Sequence, residues 1–403
     1  MKLAWLRGSG LAARFSKNLL SRMKPAGGLG VGFAERNFLS SIQCTGQCLV
    51  DQLVDGLDDP APCCVAVVIV TRGERVSAVQ HQGGGASDVD LGNQRSQPAI
   101  AHRHDDSSAS MTGYPRDLVG YADQPPDPRW PGGARLALNF VVNYEEGGER
   151  SVLHGDKVAE TRLTDLLTPA PLQGARDLNM ESAYEYGSRV GFWRLMRVFA
   201  ERQVIPTIYA VGMALERNPQ VAEAMARQGC DVVDHWWRWI DYQGIDEATE
   251  REHIRLSVET IRRLTGTRPV GWYIGTPSAN TRRLVVEEGG FLYDSDAYND
   301  ELPYWIYDYG RPHLIIPHTL DDNDTRLARG QGWGQAEDFL VSLRDNFDAL
   351  YREGEHTPKM MTVAVHCRLA GKPARAAAFA RFVDHILRHD RVWICRRNEI
   401  AEH

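Results

Sequence analysis

From Arg135 onward the chain switches repeatedly between two hydrophobic rhythms. Leu136-Ala-Leu-Asn-Phe-Val-Val142 is an almost unbroken apolar run of strand length, as expected of a strand covered on both faces. Val190, Trp193, Met196 and Phe199 recur at spacings of three and predict a helix over residues 188–203. A strand over 206–211 follows, then a helix with Asn218 at its cap, Pro219 at its first position and Gly229 at its end. The pattern continues as strand 230–233, helix 247–265 stopped by Gly266, strand 270–274, helix 281–288, and strands 291–294 and 313–316. Helix 337–352, strand 361–365, helix 374–387 and strand 392–395 complete it. Strands that alternate with helices build a mostly parallel sheet with helical crossovers. About eight of them predict an α/β fold, a closed or distorted (β/α) barrel.

The first part of the chain lacks this order. Residues 35–110 show no sustained period and include Gln82-Gly-Gly-Gly-Ala-Ser87 and His102-Arg-His-Asp-Asp-Ser-Ser108, so 1–110 is expected to be a low-complexity or disordered extension. The apolar run Val65–Val70 has no evident partner strand. Residues 1–34 carry six basic side chains and no acid before Glu35, which fits a transit segment. The favoured alternative is that Met111 is the working initiator, with 111–403 as the folded domain. Between Tyr114 and Gly133, five prolines predict an extended arm on the surface or on a neighbouring subunit.

Composition narrows the function. A net charge of −7 over 403 residues, with a pI of about 6.0, gives no basic excess for neutralising phosphates and argues against a nucleic-acid binder. No apolar run is long enough to span a membrane. The seven cysteines include Cys44 and Cys48, and the adjacent Cys63 and Cys64, but no second pair at zinc spacing. Reduced thiols in a cytoplasmic protein are the expectation.

Polar residues gather where strands end. Asn143 and Glu145 follow the first strand, His235 the third, Thr276 and Ser278 the fourth, Asp296 the fifth, His318 and Asp321 the sixth, and His366 the seventh. The C-terminal ends of barrel strands are where active sites are built. His235 lies beside Trp236, Trp237 and Trp239, and the position four after it is a tryptophan, not a second metal-binding histidine. Glu181, Glu185 and Arg189 are spaced to share one helical face. Each has a plainer alternative: a solvated acid for Glu145, a core histidine for His235 and His366, a surface salt bridge for the helical triad, and core packing for Trp239.

Six segments carry a resemblance across nearly the whole of 111–403: Asn143-Tyr-Glu-Glu-Gly-Gly-Glu-Arg150, residues 179–194 from Asn179-Met-Glu-Ser, Arg238-Trp-Ile-Asp-Tyr-Gln243, residues 280–296 from Asn280-Thr-Arg-Arg, Leu302-Pro-Tyr-Trp305 and His366-Cys-Arg-Leu-Ala-Gly371. The domain resembles the NodB-like polysaccharide deacetylase superfamily, and within it the metal-independent allantoinases of purine catabolism. Metal-dependent members use an aspartate base, a liganding aspartate and an HxxxH pair. The matching positions here are Asn143, Glu145, His235 and Trp239. An amide is no base and an indole no metal ligand.

The resemblance implies hydrolysis of the hydantoin ring of allantoin to allantoate in urate catabolism, with no metal and no cofactor. It also implies a small-molecule substrate, a cytoplasmic location and a homo-oligomer, tetrameric by analogy. Another carbon–nitrogen hydrolase of the fold, acting on a cyclic imide or an N-acetyl sugar in carbohydrate metabolism, is the alternative, as is an inactive homologue. Glu145 and His235 are expected to hold and activate water, and His366 to protonate the leaving nitrogen. Asn143, Glu181, Arg189, Trp239, Asn280 and Asp296 are the candidate substrate contacts. Three positions depart from the pattern. Asp234 and Trp236 flank His235 where serine and glycine are expected, and Thr276 stands where an arginine is expected. Trp236 is expected to narrow the pocket or to need a backbone conformation that tryptophan resists. Thr276 is expected to cost a donor for a ureide carbonyl.

Overall fold

The computed structural model describes residues 116–167, 170–328 and 332–403. The expectations for residues 1–110, including Val65–Val70 and Met111 as initiator, lie outside the described residues. Among the described residues nine strands form one sheet: β1 Leu136–Tyr144, β2 Thr207–Ala210, β3 Asp231–Asp234, β4 Gly271–Trp272, β5 Tyr293–Asp294, β6 Tyr304–Ile306, β7 His313–Ile315, β8 Lys359–His366 and β9 Val392–Ile394. Their order is β6-β7-β5-β4-β3-β2-β1-β8, with β9 also on β1. The pairings are parallel except β6 with β7. The sheet curls without closing by strand pairing. Between its two ends, Ala364 N donates to Asp322 O at 3.0 Å and Met360 N to Glu301 O at 3.2 Å. The result is a curled half-barrel, the distorted of the two barrel forms that the alternating pattern left open.

The helices follow local signals. Asp246 caps α5 (Glu247–Thr265; α1 to α4 are given below) by accepting from Thr249 N, and Gly266 ends it at φ 79°. Helix α6, Thr281–Glu288, ends at Gly289 with φ 91°. The segment expected as one helix over 188–203 is longer and interrupted: α1 Leu178–Tyr186, a π-helical turn Gly187–Gly191, then α2 Phe192–Glu201. A Cβ on Gly191 would overlap the Cys367 carbonyl, and one on Gly187 the Glu146 side chain. The wide turn is therefore where this helix comes against the end of β8. Helices α3 Gly212–Arg217 and α4 Pro219–Arg227 link β2 to β3, α7 Ala336–Glu353 precedes β8, α8 Pro373–Ile386 follows it, and α9 Arg397–Glu402 ends the chain.

Strand parity divides the core. On β1, Leu136, Leu138, Phe140, Val142 and Tyr144 pack against the helices, while Ala137 and Val141 face the barrel interior with Tyr209, Val233, Tyr273 and Ala364. Fully buried Arg397 fills the interior floor, donating to Asn139 Oδ1 (3.0 Å), Thr362 Oγ1 (2.8 Å), Ser295 Oγ (2.8 Å) and the Ile316 and Pro317 carbonyls (2.6 and 3.1 Å). The proline-rich arm lies along the same body. Tyr121 Oη donates to Pro303 O (2.9 Å), and buried Trp130 donates from Nε1 to Lys359 O (2.9 Å). Among the described residues no helix is long and apolar enough to cross a membrane.

Candidate active site

The parity that points Val141 inward also points Asn143 and Glu145 inward, one and two pleats later. The register sets Asn143 beside His366 on β8, and Ala210 beside Asp234 on β3. His235, one step past Asp234, regains the interior face. Three strand ends thus deliver Glu145, His235 and His366 to one point. Glu145 Oε1 lies 3.2 Å from His235 Nε2 and 3.4 Å from His366 Nε2. Its other oxygen is ion-paired with Arg368 Nη2 at 2.7 Å. All four side chains are buried.

The two histidines are held from behind by different groups. His366 Nδ1 is 2.6 Å from Asp324 Oδ1, while Asp324 Oδ2 accepts from the backbone N–H of His366 and of Ala370, each at 2.9 Å. His235 Nδ1 is 2.8 Å from the Tyr273 carbonyl. A carbonyl only accepts, so Nδ1 of His235 carries a proton, and the bond from Nε2 to Glu145 Oε1 requires a proton on that nitrogen as well.

These contacts set the charges. Burial would raise the Glu145 carboxyl, but the charges of Arg368 and His366 and the bonds from both histidines hold it well below the usual range. Burial would lower His366, yet the carboxylates of Glu145 and Asp324 raise it to about 9. At neutral pH the site therefore holds a carboxylate beside an imidazolium. Neighbouring Glu146, 3.4 Å from Arg368, is pushed by burial up to about 7.

Above this floor opens a cavity of about 390 Å³, lined among others by Asn143, Glu145, His235, Trp239, Thr276 and His366. Loop residues 161–164, 166, 320, 323 and 325 form its rim. A larger groove, about 680 Å³, runs along α5 and α6. Its walls are mostly arginines and glutamates that pair with one another, such as Arg251 with Glu287 and Arg255 with Glu259, with Ile254, Val258 and Leu284 between them. It lies away from the strand ends, so the smaller cavity is the candidate site.

The structure brings five of the nine expected residues to this cavity: Glu145, His235, His366, Asn143 and Trp239. Asn143 Nδ2 also donates to Val365 O (3.3 Å). The Trp239 indole is flanked by the guanidinium groups of Arg162 and Arg368, 4.7 and 5.1 Å from its ring. Asp296 sits behind the wall, where it accepts from Gly275 N (2.7 Å) and Ile274 N (3.1 Å) and so fixes the loop that lines the cavity. Glu181, Arg189 and Asn280 are not at the cavity. Glu181 pairs with Arg176 (2.6 Å), exposed Arg189 with Glu185 (3.6 Å), and Asn280 Oδ1 accepts from Arg283 (3.3 Å). Arg189 lies inside the π turn, where straight-helix spacing no longer places it over Glu181.

Trp236 corrects another expectation. Its backbone does adopt the left-handed conformation, φ 69°, stabilised by a bond from its N–H to Asp234 Oδ1 (2.9 Å). Its indole, however, points away from the cavity and packs between Tyr242 and Trp272, with centroids at 3.5 and 5.0 Å. It does not narrow the pocket. Thr276 does line the cavity, and a cationic group is present there all the same, Arg162 from the loop after β1. Sequence reading missed Arg162, Asp324 and Arg368. Arg368 alone had a local signal, two residues past His366.

The residues present do not fit the metal centre of metal-dependent deacetylases, because Asn143 and Trp239 both face the cavity at positions where that chemistry needs a base and a ligand. The comparisons agree with the fold. A family model described as polysaccharide deacetylase matches residues 180–289. A provisionally named polysaccharide deacetylase of Schizosaccharomyces pombe is 44% identical over 306 residues, which cover 71% of this chain and 96% of that protein. The crystal structure of a probable polysaccharide deacetylase from Pseudomonas aeruginosa is 55% identical with a TM-score of 0.70, covering 72% of this chain and 97% of the other. That of PuuE allantoinase is 53% identical with a TM-score of 0.71 and the same coverage of 72% and 97%. This chain therefore belongs to the polysaccharide deacetylase family, with the NodB-like fold that the resemblance implies.

Proposed function

We propose that the protein is a metal-independent hydrolase of a cyclic amide, opening the hydantoin ring of allantoin to allantoate in cytoplasmic urate breakdown. The observation that carries this is Glu145 Oε1 held between His235 Nε2 and His366 Nε2 at the cavity floor. Hydrolysis needs a base for water, stabilisation of the tetrahedral oxyanion and a proton for the leaving nitrogen. Glu145, ionised at neutral pH, takes the water's proton, and His235 Nε2, bonded to Glu145 Oε1, orients that carboxylate. His366, protonated below about pH 9, gives a proton to the departing ring nitrogen. Asp324 keeps the His366 ring aimed and charged. Arg162 and Asn143 supply donors on the cavity wall for ureide oxygens. The likeness to PuuE allantoinase supports the substrate class.

The test is turnover of allantoin, hydantoin, a cyclic imide and an N-acetyl sugar by the purified protein, with and without chelator. Ring opening that survives chelation is the expected result. Turnover of the N-acetyl sugar alone, abolished by chelator, would overturn the reading. A homo-oligomer, tetrameric by analogy, is part of the same proposal. Light scattering checks it.

A further inference from the structure

Away from the cavity, Asp348 on α7 meets His385 and His389 at the end of α8. Among the described residues, this is where three such ligand atoms lie within 4.8 Å of one another. His385 belongs to the last turn of α8, and His389 lies just past its end. Their spacing of four brings the two imidazoles to one side, with ring centroids 4.8 Å apart. His385 Nε2 is 2.8 Å from Asp348 Oδ1.

His389 has the arrangement of a metal ligand. Its Nδ1 lies 3.0 Å from the His385 carbonyl. That carbonyl can only accept, so Nδ1 carries the proton and Nε2 presents a lone pair. A ring N–H donated to a backbone carbonyl is the usual second contact of a metal-bound histidine. The rings are also oriented in advance. Phe347 packs on both histidines, at 5.5 and 4.9 Å, and Tyr351 on His389 at 5.1 Å. Tyr351 is itself fixed by Asp390 at 2.7 Å.

We propose that Asp348, His385 and His389 bind one borderline divalent transition cation, of the zinc class, and so clamp α7 to α8. Two imidazoles and one carboxylate select zinc, cobalt or nickel over magnesium and calcium, which prefer all-oxygen shells. Water completes the coordination. Binding takes the place of the hydrogen bond between His385 Nε2 and Asp348, with the ring proton on Nδ1, and because both rings bind as neutral imidazoles the affinity weakens at acid pH. The site shares no residue with the cavity. Zinc found in the purified protein therefore does not by itself bear on how the cavity works.

The test uses untagged full-length protein, dialysed against zinc, passed through gel filtration and assayed for bound metal. The same is done for His389→Ala and Asp348→Asn, whose circular dichroism confirms folding. Wild type is expected to keep one equivalent of zinc more than His389→Ala. Its melting transition should rise by several degrees at about a hundredfold excess of zinc over the dissociation constant, with no rise in magnesium. Asp348→Asn should weaken binding about tenfold or more. Equal zinc retention and equal melting shifts in wild type and both variants would overturn the proposal, as would a response to magnesium equal to that to zinc.

Discussion

The two walls of the cavity are built on different electrostatic terms. On the β1–β8 wall, Glu145 is paired with Arg368 and His366 with Asp324, and the charged forms persist at neutral pH. On the opposite wall, past the ends of β3 to β5, buried Asp234 and half-buried Asp296 are held by neutral donors. Asp234 accepts from Trp236 N and Ser257 Oγ (2.7 Å), and Asp296 from two backbone N–H groups. Burial pushes each of these carboxyls up to about 7. One wall therefore carries fixed charge. The other uses acids to shape backbone, Asp234 at the left-handed Trp236 and Asp296 at the loop after β4. Both departures at residues 234 and 236 fall on the shaping wall, which leaves the charged wall intact.

The comparison breaks first if the charged wall can be neutralised without effect. Glu145→Gln or His366→Asn should lower ring-opening turnover by about 10²–10⁴-fold, the usual worth of a positioned acid or base, while leaving the melting temperature within a few degrees. Loss of less than tenfold in both variants would remove these groups from the chemistry.

The next test exchanges activity for stability on the shaping wall. Trp236→Gly relieves a strained left-handed backbone, worth about 1–3 kcal/mol, but vacates a packed indole site, a loss of about 3–5 kcal/mol. A net destabilisation of roughly 2 kcal/mol is expected, read by urea unfolding, with turnover per folded molecule unchanged. A tenfold gain in turnover would mean that the indole does obstruct the pocket.

Two pH experiments sharpen the contrast. With His366 raised to about 9, activity should hold across neutral pH and fall as pH rises through about 9. Asp324→Asn removes one of the charges that raise it, so this alkaline limb should move toward neutral pH. An unmoved limb would assign it to another group. The smallest expected effect belongs to Asp234. Its folded-state value, about 7, lies above the ordinary 3.8, so the folded state binds this proton more tightly than the unfolded chain does. Its contribution to stability is therefore largest at acid pH and declines as pH rises from about 4 to 7. Asp234→Asn, which keeps an acceptor for Trp236 N, should gain stability relative to wild type over that interval and level off above it. A relative gain toward acid pH would reverse the sign.

Much of the fold was legible because its signals are local. Helices α5 and α6 run over the expected residues, since Gly266 and Gly289 stop them by backbone geometry alone. Short elements escaped, namely β6, α3 and α9, because three to six residues carry too little pattern to separate from loop. The π turn was invisible for another reason. It exists because Gly191 must clear the Cys367 carbonyl, a contact between distant parts of the chain. The same distinction holds in the site. Glu145, His235 and His366 could be found as polar residues following strands, whereas Asp324 follows no strand directly and shows its role only where it meets His366.

By itself, then, the sequence determined which polar residues follow the strands, Asn143, Glu145, His235 and His366 among them. Only the tertiary structure decided what those residues are chemically. Whether Glu145 is a solvated acid or a low-lying carboxylate depends on Arg368 and two histidines reaching it. Whether Trp236 blocks the pocket depends on a space between Tyr242 and Trp272 that receives the indole. Pleat and cap are written in neighbouring residues because backbone geometry is local. Charge and packing are not, because Coulomb and contact energies follow distance in space, which the chain sets only when it folds.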